Sequence, residues 1–522
     1  MTLDLVIRNG SVYDGTGADP VAADVAFEDG RIVAVGEVGA VDCAEVDASG
    51  LAVAPGFIDL HSHSDFTLLI DPRAASAVHQ GVTLEVVGNC GFGCFPIVDP
   101  ALARKAIYGY SDAVPLDWRS AGEYFERLQA AKPAINVLSL VPNGQLRLST
   151  VGLTDRPADT AELQRMRELL AESLGEGAWG YSTGLEYAQE AGAPEEEITA
   201  LCETLSPTGR LYATHTRRRD EGATETVAEA IRTAQKANVR LQVSHLVPRN
   251  GIEESRRSIE LVEGARERGL DVQFDMHTRR YGITHLYAAL PPWALAVEPG
   301  HLGALLADPA ERDRMRPHRS ILSAGGDWSR ITVLDNPFWP QYARRDIAEI
   351  AAERGQEPLD TVYDLLIGAV EAPEKLMVII HAYTEEEQRE AFAHRCCVPG
   401  SDATTLAPDG PLADSFFHGA YTWASWFYRF MVREQALLTP AAAVHKLTGQ
   451  PSARLGLSDR GTLKPGARAD VAIFDQGRFA ERGTTFEPNQ LAEGMVHVFV
   501  NGVHTLRDGA LTGKRGGEVL RR

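Results

Sequence analysis

Two histidines separated by one serine follow a short apolar run near the start of the chain. The run from Gly56 to Leu60 leads directly into His61-Ser62-His63. Side chains alternate along a strand, so residues i and i+2 point to the same side. Two imidazoles would then face one point beyond the strand end, as ligands of one metal ion do. The alternative is a pair of surface histidines in a loop, because Ser64 and Asp65 follow and so short a motif is common by chance.

Four further potential ligands stand at the ends of other apolar segments. They are Cys90 after 83–88, His215 at the end of 211–215, His245 at the end of 240–245, and Asp402 after 396–401. Singly, each has an ordinary structural explanation: a cysteine packs as a small apolar residue, a histidine satisfies a hydrogen bond, and an aspartate caps a turn. Six such residues at one end of their strands are better explained by a metal centre. Imidazole and thiolate suit zinc, and Asp402 adds an oxygen ligand that can also act as a base.

The elements that must position these residues alternate along the middle of the chain. Candidate strands are 56–61, 83–88, 136–142, 178–182, 211–215, 240–245, 271–276 and 396–401. Segments with helical periodicity lie between most of them, including 160–174, 223–238 and 258–269. Eight strands alternating with helices predict an α/β fold, a distorted (β/α)8 TIM barrel, with its chemistry at the carboxyl ends of the strands.

Both ends of the chain have sequence patterns typical of β-strands. Short alternating runs in the first fifty residues are separated by turns such as Asn9-Gly10 and Asp29-Gly30, and 469–475 and 495–502 look similar. Neither end has enough strands to close a core. We therefore predict one small β-sandwich domain built from 1–55 plus 455–522. The barrel would span 56–454, with an inserted, largely helical lobe around 285–395 and an extra strand at 375–383.

Composition narrows the classes of partner. The 522 residues include 72 acidic and 51 basic side chains, a net charge of −21, which argues against a nucleic-acid or anionic-membrane partner. Six cysteines without paired spacing indicate a reducing cytoplasm rather than disulfides. The N-terminal residues do not read as a signal peptide, and no segment is long enough to span a bilayer. A small-molecule substrate is expected, and a homo-oligomer is left open.

Several longer motifs resemble those of a known protein family. The chain resembles the amidohydrolase superfamily, and within it the N-acyl-D-amino-acid deacylase (D-aminoacylase) group, over nearly its whole length. The motifs are PGFIDLHSHSD (55–65), GVTLEVVGNCGFG (81–93), GYSTGLEY (180–187), THTRRRDEG (214–222), VSHL (243–246), GSD (400–402) and 447–475. The resemblance implies a barrel, a β-sandwich and a zinc site.

The resemblance also implies a ligand set. Cys90, His215 and His245 would hold a tight zinc ion, and His61, His63 and Asp402 would surround a second position. Hydantoinases and dihydroorotases bridge two metals with a carboxylated lysine on the fourth strand. Residues 133–235 contain no lysine, and Cys90 takes that place, as in D-aminoacylases.

The activity that follows is zinc-dependent hydrolysis of an amide bond by metal-activated water. Asp402 would take the proton of the water and return it to the leaving nitrogen. Tyr187, in the loop after the fourth strand, is a candidate hydrogen-bond donor to the oxyanion; the alternative is an ordinary aromatic residue at the barrel mouth.

Departures from the group concern the substrate. The lysine that binds the free carboxylate of the substrate is replaced by Val247, a tyrosine by His277 and a serine by Ile283, and the segment with the usual arginine reads His418-Gly419-Ala420-Tyr421. An unpaired buried carboxylate is costly, so we predict that the substrate is not a simple N-acyl-D-amino acid.

Candidate substrate contacts are His277, Arg217, Arg249, His381 and Tyr421. Arginines cluster near the mouth at positions 217–219, 249, 279 and 280, and we expect most of them to be solvated surface charges. Two alternatives remain: a hydrolase of a cyclic amide, lactone or other C–N or ester bond, and a non-catalytic scaffold. The scaffold is disfavoured because all six ligands are present.

Overall fold

The computed structural model describes residues 3–297, 299–323, 325–417 and 419–522. Its strands are β1 Leu5–Val12, β2 Val21–Glu28, β3 Arg31–Gly36, β4 Ala44–Asp47, β5 Ala52–Pro55, β6 Phe57–Asp59, β7 Val82–Val87, β8 Asn136–Pro142, β9 Gly180–Gly184, β10 Leu211–His215, β11 Arg240–Val243, β12 Val272–His277, β13 Tyr281–His285, β14 Ile331–Val333, β15 Met377–His381, β16 Cys397–Gly400, β17 Val471–Phe474, β18 Met495–Val500, β19 Val503–Arg507 and β20 Ala510–Leu511.

The helices cover the barrel, build the inserted lobe and precede the C-terminal strands. They are α1 Thr67–Ile70, α2 Ala75–Val78, α3 Pro100–Ala103, α4 Ala121–Ala131, α5 Asn143–Thr150, α6 Thr160–Gly175, α7 Glu195–Leu205, α8 Ala223–Ala237, α9 Ile252–Glu267, α10 Pro292–Leu295, α11 Pro299–Ala307, α12 Pro309–Met315, α13 Ile347–Arg354, α14 Pro358–Gly368, α15 Glu385–Ala393, α16 Gly419–Tyr428, α17 Pro440–Leu447 and α18 Gly449–Leu455. A π-helical segment, Arg429–Glu434, follows α16.

Eight parallel strands form the barrel sheet, in the order β16-β12-β11-β10-β9-β8-β7-β6. The two edge strands meet just beyond their carboxyl ends. There Ser62 bridges Ala403, and the amide of Asp402 donates to the oxygen of His61 at 2.8 Å. The barrel thus closes through the segments that carry three of the predicted ligands. The predicted barrel is confirmed, and each predicted strand is present; β9 lies two residues later than expected.

Helix packing follows the predicted periodicity. In α6 the buried residues Met166, Leu169, Leu170 and Leu174 lie on one face, because positions three or four apart meet on a helix surface. Its N-terminus is closed by a capping box, in which Asp159 accepts from the amide of Glu162 and the Glu162 side chain reciprocates. The predicted helix over 160–174 ends one residue later, at Gly175.

Strands from both ends of the chain join one nine-stranded sheet. Its order is β20-β19-β18-β17-β5-β1-β2-β3, with β4 beside β1. The join is the antiparallel pair of β5 and β17, in which Ala52 faces Phe474. Phe27 and Phe499, from opposite ends of the chain, pack edge to face in its core at 5.3 Å.

The inserted lobe has its own core and sheet. Helices α10–α14 pack with a three-stranded antiparallel sheet of order β13-β15-β14. The extra strand predicted at 375–383 is β15. Its partners β13 and β14 are additions to the prediction, which expected the lobe to be otherwise helical. Among the described helices of the whole chain, none has the length and hydropathy that a membrane span requires.

Candidate metal centre

The six predicted ligands converge at the carboxyl end of the barrel. His61, His63, Cys90 and Asp402 form one group and Cys90, His215 and His245 a second, and within each group the ligand atoms lie within 4.8 Å of one another. The histidines and the cysteine are buried, and Asp402 is partly exposed. Cys90 belongs to both groups, so the arrangement offers two adjacent positions that share one sulfur atom.

The backbone is strained where three of these residues project. Cys90, His245 and Asp402 have φ angles of 52°, 34° and 45°, in a region that costs a residue with a Cβ on the order of 1–3 kcal/mol. Each stands in the loop directly after its strand. The surrounding fold must offset this cost, and such strain accumulates where side-chain direction matters for function.

Two carboxylates orient the histidines from behind. Asp275 Oδ1 lies 2.8 Å from His61 Nδ1, and Glu186 Oε2 lies 2.8 Å from His215 Nε2. A carboxylate accepts hydrogen bonds, so these two ring nitrogens carry protons. The opposite nitrogens therefore face the cluster. Carboxylates that hold metal-binding histidines in this way fix the tautomer and the orientation of the ring.

The donor atoms fit a cation. Burial lowers the pKa of His215 to about 4, and burial together with Arg219 lowers the pKa of His245 well below its usual range, so both rings are neutral. His215 Nδ1 then presents a lone pair to His245 Nε2 at 3.1 Å, and His245 Nδ1 is buried without a hydrogen-bond partner among the described residues. A divalent ion would take the facing lone pairs of His215 Nδ1 and His245 Nε2, with the proton of His245 on Nδ1.

The local field also favours a positive charge. Burial lowers the pKa of His61, but Cys90 and Asp275 more than offset it and raise the pKa well above its usual value. The Nε2 atom of His61 lies 3.2 Å from Cys90 Sγ and 3.4 Å from Asp402 Oδ1. A place that attracts a proton so strongly also attracts a metal ion, which competes with the proton for the same lone pair.

Asp402 is held from two sides. Its Oδ1 lies 3.2 Å from His63 Nε2, and its Oδ2 accepts from the Arg279 guanidinium at 3.0 Å. Burial raises the pKa of Asp402, but the hydrogen bond with His63 and the charges of His61 and Arg279 hold it well below its usual range. Asp402 is therefore ionised and accepts protons. Gly419 leaves room for the Arg279 side chain, because a Cβ at position 419 would lie 1.9 Å from the guanidinium.

Comparisons with known proteins agree with this geometry. The family model described as "Amidohydrolase family" matches residues 44–315 and 343–509. The chain belongs to the amidohydrolase family.

Its relatives place it in the N-acyl-D-amino-acid deacylase group. An N-acyl-D-glutamate deacylase of Alcaligenes xylosoxydans xylosoxydans is 32% identical over 100% of this chain and 97% of the relative. A D-aminoacylase of the same organism is 30% identical over 99% and 98%. An N-acyl-D-glutamate deacylase from Bordetella bronchiseptica, solved with zinc and a phosphonate mimic of the tetrahedral intermediate, superposes with a TM-score of 0.81 at 31% identity, covering all of both chains. The predicted class, a metal-dependent amidohydrolase acting on non-peptide C–N bonds, is confirmed.

Three of the other predicted site residues adjoin the metal centre of this amidohydrolase. His277 is buried, with Nε2 4.0 Å from Asp402 Oδ2. The ring of Tyr187 lies 4.6 Å from that of His215. Arg249 is buried and pairs with Glu186, the carboxylate behind His215, and with Asp220 at 2.8 Å.

The structure does not bring three predicted substrate contacts into the centre. Arg217 pairs with Glu229 of α8 at 2.8 Å. Tyr421 is fully buried in an apolar cluster with Leu406 and Leu412. His381 is exposed at the end of β15. Of the segment His418-Gly419-Ala420-Tyr421, His418 lies outside the described residues.

The expectation that the mouth arginines are solvated is wrong for three of them. Arg219, Arg249 and Arg279 are 5%, 4% and 2% exposed. Their charges are satisfied within the protein: Arg219 donates to the backbone oxygen of Val247 at 2.9 Å, and Arg279 to Asp402. A guanidinium is buried when the fold supplies acceptors, and acceptors distant in sequence give no local signal.

Two carboxylates that orient the histidines, Asp275 and Glu186, were not among the predicted site residues. Asp275 lies two residues before His277, the last residue of β12, and so on the same side of the strand; the rule that chemistry gathers at strand ends could have identified it. Glu186 directly precedes the predicted Tyr187. The misplacement of β9 by two residues concealed that Glu186 follows the strand end closely enough to reach His215.

Proposed function

We propose that this amidohydrolase uses zinc to hydrolyse an N-acyl amide bond of a small molecule, with Asp402 as general base and then general acid. The proposal rests mainly on the position of Asp402. One oxygen lies against His61 and His63 while Arg279 binds the other, so the carboxylate is ionised, oriented and next to the ligand cluster.

The ligand set supports zinc. Cys90, His215 and His245 would hold one ion, and His61, His63 and Asp402 would surround a second position beside the same sulfur. Thiolate and imidazole are preferred zinc ligands. When bound, the metal would polarise the scissile carbonyl and lower the pKa of a water molecule towards neutrality.

Side chains of the protein would transfer or donate the protons. Asp402 takes a proton from the attacking water and returns it to the leaving nitrogen, which departs poorly as an unprotonated amide. Tyr187 is the proposed donor to the oxyanion. Burial together with the neighbouring Tyr108 and Cys90 raises the pKa of Tyr187 well above its usual value, so its hydroxyl keeps the proton that such a donor needs.

Substitutions at the carboxylate-binding positions of the deacylase group support a substrate other than a simple N-acyl-D-amino acid. Val247 is fully buried and apolar, and Ile283 lies in β13, where the deacylase group has polar carboxylate-binding side chains. Arg279 is engaged by Asp402. A carboxylate adjacent to the scissile bond would lose hydration here without a cation in exchange.

The test is Asp402→Asn in the zinc-loaded enzyme, with Asp409→Asn in the same loop region as the matched control. Loss of general acid–base catalysis costs about 10²–10⁴-fold, so kcat should fall by that range while zinc content stays near that of wild type. Wild-type turnover in Asp402→Asn contradicts the assigned role. A panel of N-acyl amines, cyclic amides and lactones tests the bond: hydrolysis of only the cyclic compounds contradicts the proposed substrate class.

A further inference from the structure

The described part of the chain contains a cavity of about 600 Å³ whose wall includes none of the six predicted ligands. Its lining includes Arg249, Arg280, Arg330, His381, Tyr383 and Thr485. Arg249 connects it to the centre through Glu186, which holds His215. Tyr383 connects it through His277, whose ring is 5.1 Å away. Side-chain contacts thus link the cavity wall to His215 and to His277 of the candidate site.

The cations in the cavity differ in their partners. Arg249 is balanced by Glu186 and Asp220. Arg280 and Arg330, in contrast, form no ion pair with any carboxylate of the described residues. Arg330 donates to the backbone oxygens of His381 at 2.7 Å and Arg249 at 3.1 Å, which hold the guanidinium in place. Its charge also acts on Asp327. Arg280 is exposed and Arg330 is half-buried, so an anion in the cavity can contact both guanidinium groups.

The carboxylate of Glu387 in the cavity wall has partners for Oε2, whereas Oε1 has none among the described residues. Glu387 receives the amide and the hydroxyl of Thr384 at 2.6 and 2.9 Å, as part of the capping box of α15. On the opposite wall, Gly251 is the N-cap of the 16-residue helix α9 and has no side chain to close it. The first-turn amides of such a helix add positive potential, of which Glu253 and Glu254 in the same turn offset a part.

We propose that this cavity is an oxyanion subsite. Building on the proposed function, the substrate is an N-acyl compound whose carboxylate or phosphate is remote from the scissile bond and binds Arg280 and Arg330. A guanidinium pairs well with either oxyanion because both offer two oxygens in one plane. The subsite would supply the anion recognition that the apolar lining beside the metal does not.

The probes are matched pairs that differ only in the remote anion. One set is N-acetylated ω-amino acids of four and six carbons, each compared with its terminal amide. The other is N-acetylethanolamine phosphate compared with N-acetylethanolamine. Binding is measured by calorimetry in the zinc-loaded Asp402→Asn protein, where turnover does not interfere. KM and kcat are measured in the active enzyme.

Arg280→Gln and Arg330→Gln are the test variants, and Arg268→Gln, an exposed arginine at the end of α9, is the control for net charge. We expect the anionic member of a pair to bind at least about tenfold more tightly than the neutral member. Either test variant should remove most of that preference through KM, with kcat unchanged, and Arg268→Gln should retain it. A preference in only one set identifies the oxyanion as carboxylate or phosphate.

Equal binding of both members in every pair, no binding of any probe, or a preference that survives both test variants would overturn the subsite. Other results would contradict the proposed function without contradicting the subsite. If the variants remove an anion preference but no N-acyl compound is hydrolysed, the subsite stands and the reaction is wrong. If N-acyl compounds are hydrolysed without any anion preference, the reaction stands and the subsite is wrong.

Discussion

Replacing Arg279 with methionine should release Asp402 while leaving every proposed metal ligand in place. Arg279 is 2% exposed and donates to Asp402 Oδ2 and to the Asp402 backbone oxygen, each at 3.0 Å, and also to the backbone oxygen of Ser401. Methionine keeps the unbranched stem of the side chain, so the loss is mainly that of the charge and its hydrogen bonds.

The size of the effect follows from this environment. Removing one partner of a buried ion pair costs about 3–5 kcal/mol. The Asp402 side chain is 19% exposed and keeps its contact with His63, so water and His63 compensate part of the loss. We expect the free energy of unfolding to fall by about 3 kcal/mol, and kcat to fall by about 10²-fold, as for a misplaced catalytic group.

The assays are denaturant unfolding, zinc content and steady-state kinetics with an N-acyl amide that the wild type hydrolyses. Arg279→Lys should recover part of the stability, because lysine keeps the charge and loses the planar fork. Arg268→Gln controls for net charge. Wild-type kcat and wild-type unfolding free energy in Arg279→Met, at equal zinc content, would refute the assignment of Arg279 as a positioning residue.

Two further substitutions test the carboxylates around the centre. Asp275→Asn should weaken zinc binding at the second position, which His61 adjoins, about 10–100-fold, because loss of the partner of a metal-binding histidine has that effect; chelator competition with protein loaded with two zinc ions per chain measures it, and unchanged affinity for the second ion would count against His61 as a ligand. Glu190→Gln tests a pH dependence, since burial raises the pKa of Glu190 from 4.5 to about 7. The folded protein retains this proton as the pH rises from about 4.5 to 7, so wild-type stability falls over that window, by up to about 3 kcal/mol at about 1.4 kcal/mol per pH unit. The unfolding free energy of Glu190→Gln relative to wild type should rise by that amount from pH 4.5 to pH 8, and a pH-independent difference would contradict the shift.

Much of the barrel could be predicted because its strands are buried apolar segments with clear ends. The bounds of β8 and β10 agree with the predicted 136–142 and 211–215. The predicted segment 178–182 is displaced because Ala178 and Trp179 are apolar but precede the strand: the Trp179 indole donates to Leu455. Strand β14 has three residues, too few for an alternating pattern to reveal.

Convergence of the six ligands could also be predicted, because each follows or ends a strand and a barrel brings all strand ends together. The roles of Arg279 and Glu186 could not be predicted from the sequence. Their partners are distant in sequence, Asp402 for one and Arg249 for the other. A charged residue at a loop position reads the same whether it is buried beside a counter-charge or exposed, so only the folded chain distinguishes the two.

Elemental analysis of the purified protein tests the central claim most directly, that distant sulfur, imidazole and carboxylate groups form a metal centre. The account predicts about one tightly bound zinc ion per chain in the wild type and in Asp402→Asn. It also predicts little zinc in Cys90→Ser, which removes the atom common to both ligand groups. An active wild type without bound metal, or full zinc content in Cys90→Ser, would contradict it.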